Sequence, residues 1–398
     1  MRAFDPDLPK RLDELMARHV EADEAGGLAW LAWCAGDVVA GSAGVLTRGE
    51  PAPVERDSLF RIASVTKPLT AVAALLLVEE CRLRLEDPVD DLLPELADRR
   101  VLVEPRGPVH GETVPAERAI TVRDLLTMQC GIGMDLLAPW PQPMFDAMGD
   151  LELGPGAPEP GSQPGPDEWM RRLGTLPLTH QPGGRWLYNT ASDILGVLIA
   201  RAAGTPFDVF LQERVLDPLG MADTTFWTAD IRRLGTSYSV DASTGERTPY
   251  DPPDGLWSTP ASFPSGAAGL LSTVDDLAAF GRMLLAGGIL PDGSRLLSRA
   301  SVAATTVDQL GVAAGTHPGI THDGSVGWGF GVGVQLRRTG LARTVGSYGW
   351  DGGLGSSWAN DPAEGLVGVV LSTDMFAGSD ALPHPLTDFW TTVYAALD

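Results

Sequence analysis

The chain is 398 residues long, 44% apolar and 20% charged, with a net charge of −23. That length can bury a large core and suggests two or three domain-sized units, and the composition is that of an ordinary soluble globular protein. The acidic balance argues against nucleic acid and anionic membrane surfaces as partners, because both attract positive charge.

The chain opens Met1-Arg2-Ala3-Phe4-Asp5-Pro6-Asp7, which does not resemble a secretory signal. No segment approaches the ~20 unbroken apolar residues of a membrane span. Cys34, Cys81 and Cys130 are too few and too scattered for a disulfide framework or a zinc knuckle. A reduced, cytoplasmic protein is therefore expected.

In chain order, Leu8, Leu12, Leu15, Met16 and Val20 recur at helical spacing and predict a helix over 8–25. Two β-like runs, 28–34 and 38–45, flank Ala35-Gly36-Asp37 and read as a hairpin. Leu59-Phe60-Arg61-Ile62-Ala63 then leads into Ser64. The helix predicted over 69–78 is apolar on nearly every face, so it belongs in the interior of a large protein. Between 87 and 253, helical segments (121–128, 167–173, 191–203, 206–216) alternate with Pro/Gly-rich connections. The richest of these, 139–166, reads as a long surface loop of the kind that covers a site. From Gly266 onward a helix over 275–285 precedes β-like runs at 327–336, 342–346, 356–360 and 366–372. A last helix is expected over 387–397. This pattern predicts an α/β (α+β) fold: residues 1–86 and 254–398 form one domain, 87–253 an inserted, mostly helical domain, and the active site lies between them.

Of the 29 basic residues only Lys10 and Lys67 are lysines. Burial can bring a lysine within range of deprotonation, whereas a guanidinium stays charged. Lys67 belongs to Ser64-Val65-Thr66-Lys67-Pro68, at the expected start of the buried helix. A serine and a lysine three apart project from one helix face, and the free N–H groups of a first turn suit a developing oxyanion. A desolvated, neutral Lys67 can then take the Ser64 proton. Tyr188 sits in Pro182-Gly183-Gly184-Arg185-Trp186-Leu187-Tyr188-Asn189-Thr190, a loop-to-helix junction that can aim a hydroxyl into a cleft. Gly346-Ser347-Tyr348-Gly349-Trp350-Asp351-Gly352-Gly353-Leu354-Gly355-Ser356 reads alone as a flexible turn able to bring backbone N–H groups close to a ligand. No G-x-x-x-x-G-K follows it, which argues against a nucleotide loop.

These three elements, in this order, resemble the serine β-lactamase and penicillin-binding superfamily, most closely its class C type and the family VIII carboxylesterases. The resemblance also takes in Ile120-Thr121-Val122-Arg123-Asp124-Leu125-Leu126-Thr127 and Gly269-Leu270-Leu271-Ser272-Thr273-Val274-Asp275-Asp276-Leu277. It implies an antiparallel sheet flanked by helices and built from both chain ends. It implies Ser64 as the acylated nucleophile, Lys67 and Tyr188 as acid and base, and the N–H groups of Ser64 and Gly353 as the oxyanion hole. No cofactor or metal is implied.

The chain departs from the family pattern at three places. The tyrosine motif, usually Tyr-x-Asn, is Tyr188-Asn189-Thr190, so the asparagine contact is replaced by Thr190 or lost. The segment Met128-Gln129-Cys130-Gly131 stands where His-Thr-Ser-Gly is usual, which makes Gln129 a substrate-binding candidate. The third motif, Lys-Thr-Gly or His-x-Gly in relatives, is Trp350-Asp351-Gly352. An indole in place of a cation, with Asp351 beside it, disfavours anionic acyl substrates and favours short-chain neutral esters. The expected partner is thus a small-molecule ester or amide, and a homo-oligomer is compatible with the sequence. The alternatives are a β-lactamase or D-amino acid peptidase, an acyltransferase, and a non-catalytic binding protein on the same fold. No G-x-S-x-G elbow or H-E-x-x-H motif is present, and His19, His110, His180, His317, His322 and His384 are dispersed and read as surface residues.

Overall fold

The computed structural model describes residues 4–310, 320–321, 323–377 and 382–397. Helix α1 (Leu8–Glu21) is followed by the hairpin β1 (Gly27–Cys34) and β2 (Asp37–Gly44). Its two-residue loop, Ala35-Gly36, has positive φ at both positions (51° and 106°), the geometry whose twist suits a tight hairpin. Next come β3 (Phe60–Arg61), α2 (Thr66–Glu79), β4 (Arg100–Leu102), β5 (Thr113–Pro115) and α3 (Val122–Leu126). They lead to α4 (Pro143–Asp150), α5 (Pro166–Leu173), α6 (Thr190–Ala203), α7 (Phe207–Leu211) with a π turn over Gln212–Leu216, and α8 (Asp217–Leu219). The chain continues through β6 (Ser237–Val240), β7 (Arg247–Asp251), β8 (Leu271–Ser272), α9 (Val274–Leu285) and α10 (Arg299–Thr305). Strands β9 (Val326–Trp328), β10 (Gly333–Gln335), β11 (Tyr348–Gly352), β12 (Ser356–Asp361) and β13 (Leu366–Ser372) precede α11 (His384–Tyr394).

Seven strands form one antiparallel sheet in the order β2-β1-β13-β12-β11-β10-β9, so both ends of the chain contribute to it. Alternation along β13 explains why its run is apolar throughout. Val367, Val369 and Leu371 face the core that holds α2 and α9, while Leu366 and Val370 face α1 and α11. Helix α2 lies inside the larger core with all of Thr66 to Leu77 buried, as its uniformly apolar surface predicts. Among the described residues no single helix is long and apolar enough to cross a membrane. The pair Thr190–Ala203 and Phe207–Leu219 has that length and composition but is bent by 83°.

The structure corrects several expectations. Residues 139–166 contain α4, which starts at a proline that needs no N–H partner in a first turn. Residues 342–346 form no strand. The strand is Tyr348–Gly352, within the segment that reads as a flexible turn, because ladder bonds from β10 and β12 override low strand propensity. The expected 206–216 helix is divided by the π turn. His19 is buried between Glu24 and Asp388, whereas His110 and His384 are exposed and His180 is half-buried. His317 and His322 lie outside the described residues.

Candidate active site

Ser64 lies in a single 3₁₀ turn, Ala63–Val65, that runs directly into α2. Ala63, immediately before it, has φ of 43°, a left-handed conformation that costs a non-glycine residue about 1 kcal/mol or more. The cost is met by the packing around it: Ile62 N–H donates to Leu270 C=O, and Ser356 Oγ donates to Ile62 C=O. Gly352, at the end of β11, presses against the same turn. A Cβ there would stand 2.4 Å from Ile62 O and 3.2 Å from Ser64 N, so only glycine lets the strand approach. Gly353 follows in the β11–β12 turn and lines the cleft with Ser64.

One turn after Ser64, in the first turn of α2, Lys67 is 1% exposed. Its Nζ donates to Ser64 Oγ (2.9 Å), Asn189 Oδ1 (2.8 Å) and Ala267 O (2.7 Å). Burial lowers its pKa to about 7, and the negative charge of Asp193 acts in the opposite sense. Of the three acceptors, Asn189 Oδ1 and Ala267 O have no proton to return. A neutral amine keeps two N–H bonds for them and turns its lone pair to the Ser64 hydroxyl. The geometry therefore suits Lys67 to receive a proton from Ser64 and from no other partner of the three.

Tyr188 is placed by the chain on either side of α3. Thr121 and Asp124 cap α3 reciprocally, and the segment beyond its end pairs with the tyrosine loop: Leu187 N–H donates to Met128 C=O, and Met134 and Tyr188 exchange backbone bonds. Lys67 Nζ stands 4.5 Å from the centre of the Tyr188 ring. Trp350 Nε1 donates to Tyr188 Oη at 2.7 Å. Burial pushes the Tyr188 phenol up to about 12, while hydrogen bonds with Ser64 and Trp350 pull the other way. Trp186 and Trp350 pack against its ring and Trp328 packs against both tryptophans, with ring centroids 4.7–5.8 Å apart.

These groups open on a cleft of about 950 Å³. Much of its lining is apolar, including Met134, Leu136, Pro155, Pro158, Leu354 and Phe376. The segment read as a site-covering loop thus reaches the cleft through Pro155 to Pro158. Asp351 also lines it, but its carboxylate accepts from Arg343 Nη2 (2.9 Å) and Ser357 Oγ (2.5 Å). Its charge is thus paired within the fold, which lessens the electrostatic effect expected of Asp351 beside Trp350.

Ser64, Lys67, Tyr188, Trp350, Asp351 and Gly353 thus converge, with Gly352 beneath them. Two candidates do not join them. Gln129 is buried and donates to Gly183 C=O at 3.2 Å, holding the tyrosine loop, and it does not line the cleft. Thr190 is the buried first residue of α6 and is likewise absent from the lining. An asparagine does reach Lys67, but it is Asn189, one position before Thr190, with φ of 81°. Sequence reasoning also passed over Ala267 and Asp193. Asp193 carries a signal in hindsight: an acid inside the apolar run of α6 must find a partner when buried.

The Beta-lactamase family model matches residues 12–387. The chain is 39% identical over 329 residues to protein Rv1367c of Mycobacterium tuberculosis, covering 80% of this chain and 78% of the relative. It is 31% identical to esterase EstB of Burkholderia gladioli, covering 86% and 84%. Among solved structures it resembles EstCE1, described as a hydrolase with promiscuous acyltransferase activity, with a TM-score of 0.79, 25% identity and 98% of both chains covered. Simvastatin synthase LovD of Aspergillus terreus shares the fold, with a TM-score of 0.77 at 22% identity over 98% of this chain and 99% of that one. The chain is a serine hydrolase of the β-lactamase and penicillin-binding superfamily, on the branch that includes the Burkholderia esterase.

Proposed function

We propose that the protein is a carboxylesterase for neutral esters, acting through an acyl-enzyme on Ser64. The observation that carries this reading is the Lys67 amine, whose only proton-bearing acceptor among the described residues is the Ser64 hydroxyl. Ser64 Oγ attacks the ester carbon as its proton passes to Lys67 Nζ. The carbonyl oxygen takes the negative charge beside the N–H groups of Ser64 and Gly353. Tyr188, protonated because its phenol titrates near 12, gives its proton to the departing alkoxide and regains one from Lys67. Water then attacks the acyl-enzyme, its proton following the same path in reverse, and Ser64 is restored.

The preference for neutral esters rests on charge. Trp350 stands where relatives place a cation, and Arg343 at the cleft is already paired with Asp351. The esterase activity named for the Burkholderia relative supports the same reading. The proposed division puts the site between a 1–86 plus 254–398 unit and a helical 87–253 unit, in keeping with a sheet drawn from both chain ends. A reducing, cytoplasmic setting is in keeping with a chain of only three scattered cysteines.

Hydrolysis of p-nitrophenyl esters of graded acyl length, measured beside a chromogenic cephalosporin and with Ser64→Ala as control, tests the reading. Ester turnover abolished in Ser64→Ala, with slow cephalosporin turnover, is the expected result. Cephalosporin turnover matching that of p-nitrophenyl acetate would sink it. The likeness to a hydrolase with acyltransferase activity favours a second reading, transfer to an alcohol. An added alcohol that diverts acyl groups from water into a new ester at unchanged total turnover would identify it.

A further inference from the structure

Asp193 lies on α6, one turn beyond Asn189, and is 2% exposed. Its Oδ1 accepts from Ser265 Oγ (2.6 Å) and Ala267 N–H (3.1 Å). Ala267 in turn presents its carbonyl to Lys67 Nζ at 2.7 Å. The same short segment is tied to α2 elsewhere. Thr70 Oγ1 donates to Gly266 C=O at 2.8 Å, and Leu270 N–H donates to Thr66 Oγ1 at 3.2 Å. Gly266 is pressed against α6 so closely that a Cβ would meet Ser192 O at 2.4 Å. Residues 265–270 therefore bridge α6 and α2, and Asp193 is the α6 anchor of that bridge.

We propose that Asp193 is a positioning residue for Lys67: its carboxylate pins the 265–267 segment whose carbonyl receives the lysine amine, and supplies a buried negative charge facing that amine. The inference rests on the proposed proton transfer between Ser64 and Lys67. A carbonyl held at 2.7 Å fixes one N–H of the amine, Asn189 fixes another, and the third position is left to Ser64. Loss of the anchor frees the carbonyl, and with it the direction of the lone pair.

The charge has a separate consequence. Among the described residues the titratable groups near Lys67 are Tyr188 and Asp193, and the charge of Asp351 acts on Tyr188. Helix α7 and its π turn meet the far end of α2, where Arg214 pairs with Glu80 and where Asp208 and Glu213 are exposed. Burial raises the Asp193 carboxyl above the usual carboxylate range, and its ionised form favours the charged amine. Removing that anion makes Lys67 easier to deprotonate.

The test is the pH profile of kcat/KM on a p-nitrophenyl ester for three variants. Asp193→Asn keeps an acceptor for Ser265 and Ala267 but removes the charge, so the acid limb should move down by about one pH unit. Ser265→Ala keeps the charge but removes one clamp bond, so kcat should fall several-fold with the limb in place. Asp193→Ala should do both, with kcat falling at least about tenfold. A limb unmoved in Asp193→Asn, or wild-type kcat in Asp193→Ala, overturns the proposal. Lys67→Arg serves as the separate control. Full activity there refutes the proton transfer itself, whereas an inactive Lys67→Arg beside an unmoved Asp193→Asn limb refutes only the role of Asp193.

Discussion

The indole N–H of Trp350 donates to the hydroxyl oxygen of Tyr188 at 2.7 Å, so the residue that opens the Trp350-Asp351-Gly352 motif meets the phenol with a neutral donor. A neutral donor can steady the phenol oxygen while it lends and regains its proton, without attracting an anionic substrate. Trp350→Phe keeps the ring and removes the donor. One such bond is worth about 0.5–1.5 kcal/mol, so kcat should fall by up to about tenfold. Tyr188→Phe removes the proton donor itself and should cost about 10²–10⁴ in kcat. Steady-state kinetics on one ester series distinguish the two, and equal losses would mean that the bond to Trp350 is the whole role of Tyr188.

The pH dependence follows from two groups. Lys67 must be neutral to accept the Ser64 proton, and its pKa is about 7, so kcat/KM should fall about tenfold per pH unit below 7 and level off above. Tyr188 acts while protonated, and with a phenol near 12 it introduces no alkaline limb below about pH 10. Asn189→Asp places a carboxylate on the lysine amine, which favours the charged form, so the acid limb should move up by about one unit. A profile centred on pH 7 that Asn189→Asp leaves unmoved would assign the limb to another group.

Gly352 tests how tightly the nucleophile is held. An alanine there must displace Ile62 or Ser64, since its Cβ would lie 2.4 Å from the Ile62 carbonyl. A misplacement of about 1 Å can cost about 10²-fold in rate, so Gly352→Ala should lower kcat by about 10–10² with normal circular dichroism. Unchanged kcat would show that the turn can yield without loss of geometry.

Behind the nucleophile, Arg61 is buried on β3. It pairs with Asp251, donates to Gly235 C=O at 2.7 Å and stands 5.3 Å from the centre of the Trp257 ring. Arg61→Met leaves Asp251 as an uncompensated buried charge and should cost about 3–5 kcal/mol of stability, read as a lower denaturation midpoint. The double variant Arg61→Met with Asp251→Leu should recover much of that loss. If it is no more stable than the single variant, the contacts to Gly235 and Trp257 matter more than the charge pair.

Much of this protein was legible in its linear pattern because the signals are local. Ser64 and Lys67 share a helix face by spacing alone, the scarcity of lysine marks Lys67, and an apolar run as complete as that of α2 can only be buried. The Ala35-Gly36 turn and the alternating faces of β13 follow from equally short-range rules. The places where the pattern misleads are those where distant segments decide. Residues 348–352 look like a flexible glycine-rich turn and become a strand, because β10 and β12 supply ladder bonds from either side. Asn189 looks one position out of register with Lys67, and a left-handed backbone that only the surrounding packing can enforce brings it into contact. Asp351 adds a negative charge beside Trp350 in the sequence, and only the fold shows Arg343 pairing with it. Gln129 and Thr190 look like cleft residues until the fold turns them into the supports of the tyrosine loop and α6. The sequence by itself determined the chemistry available, a serine and a buried lysine on one rigid turn. Only the tertiary structure decided how that chemistry is aimed, because the acceptors of Lys67 come from the 3₁₀ turn before α2, the start of α6 and the 265–267 segment, and covalent spacing does not hold the last two beside the first.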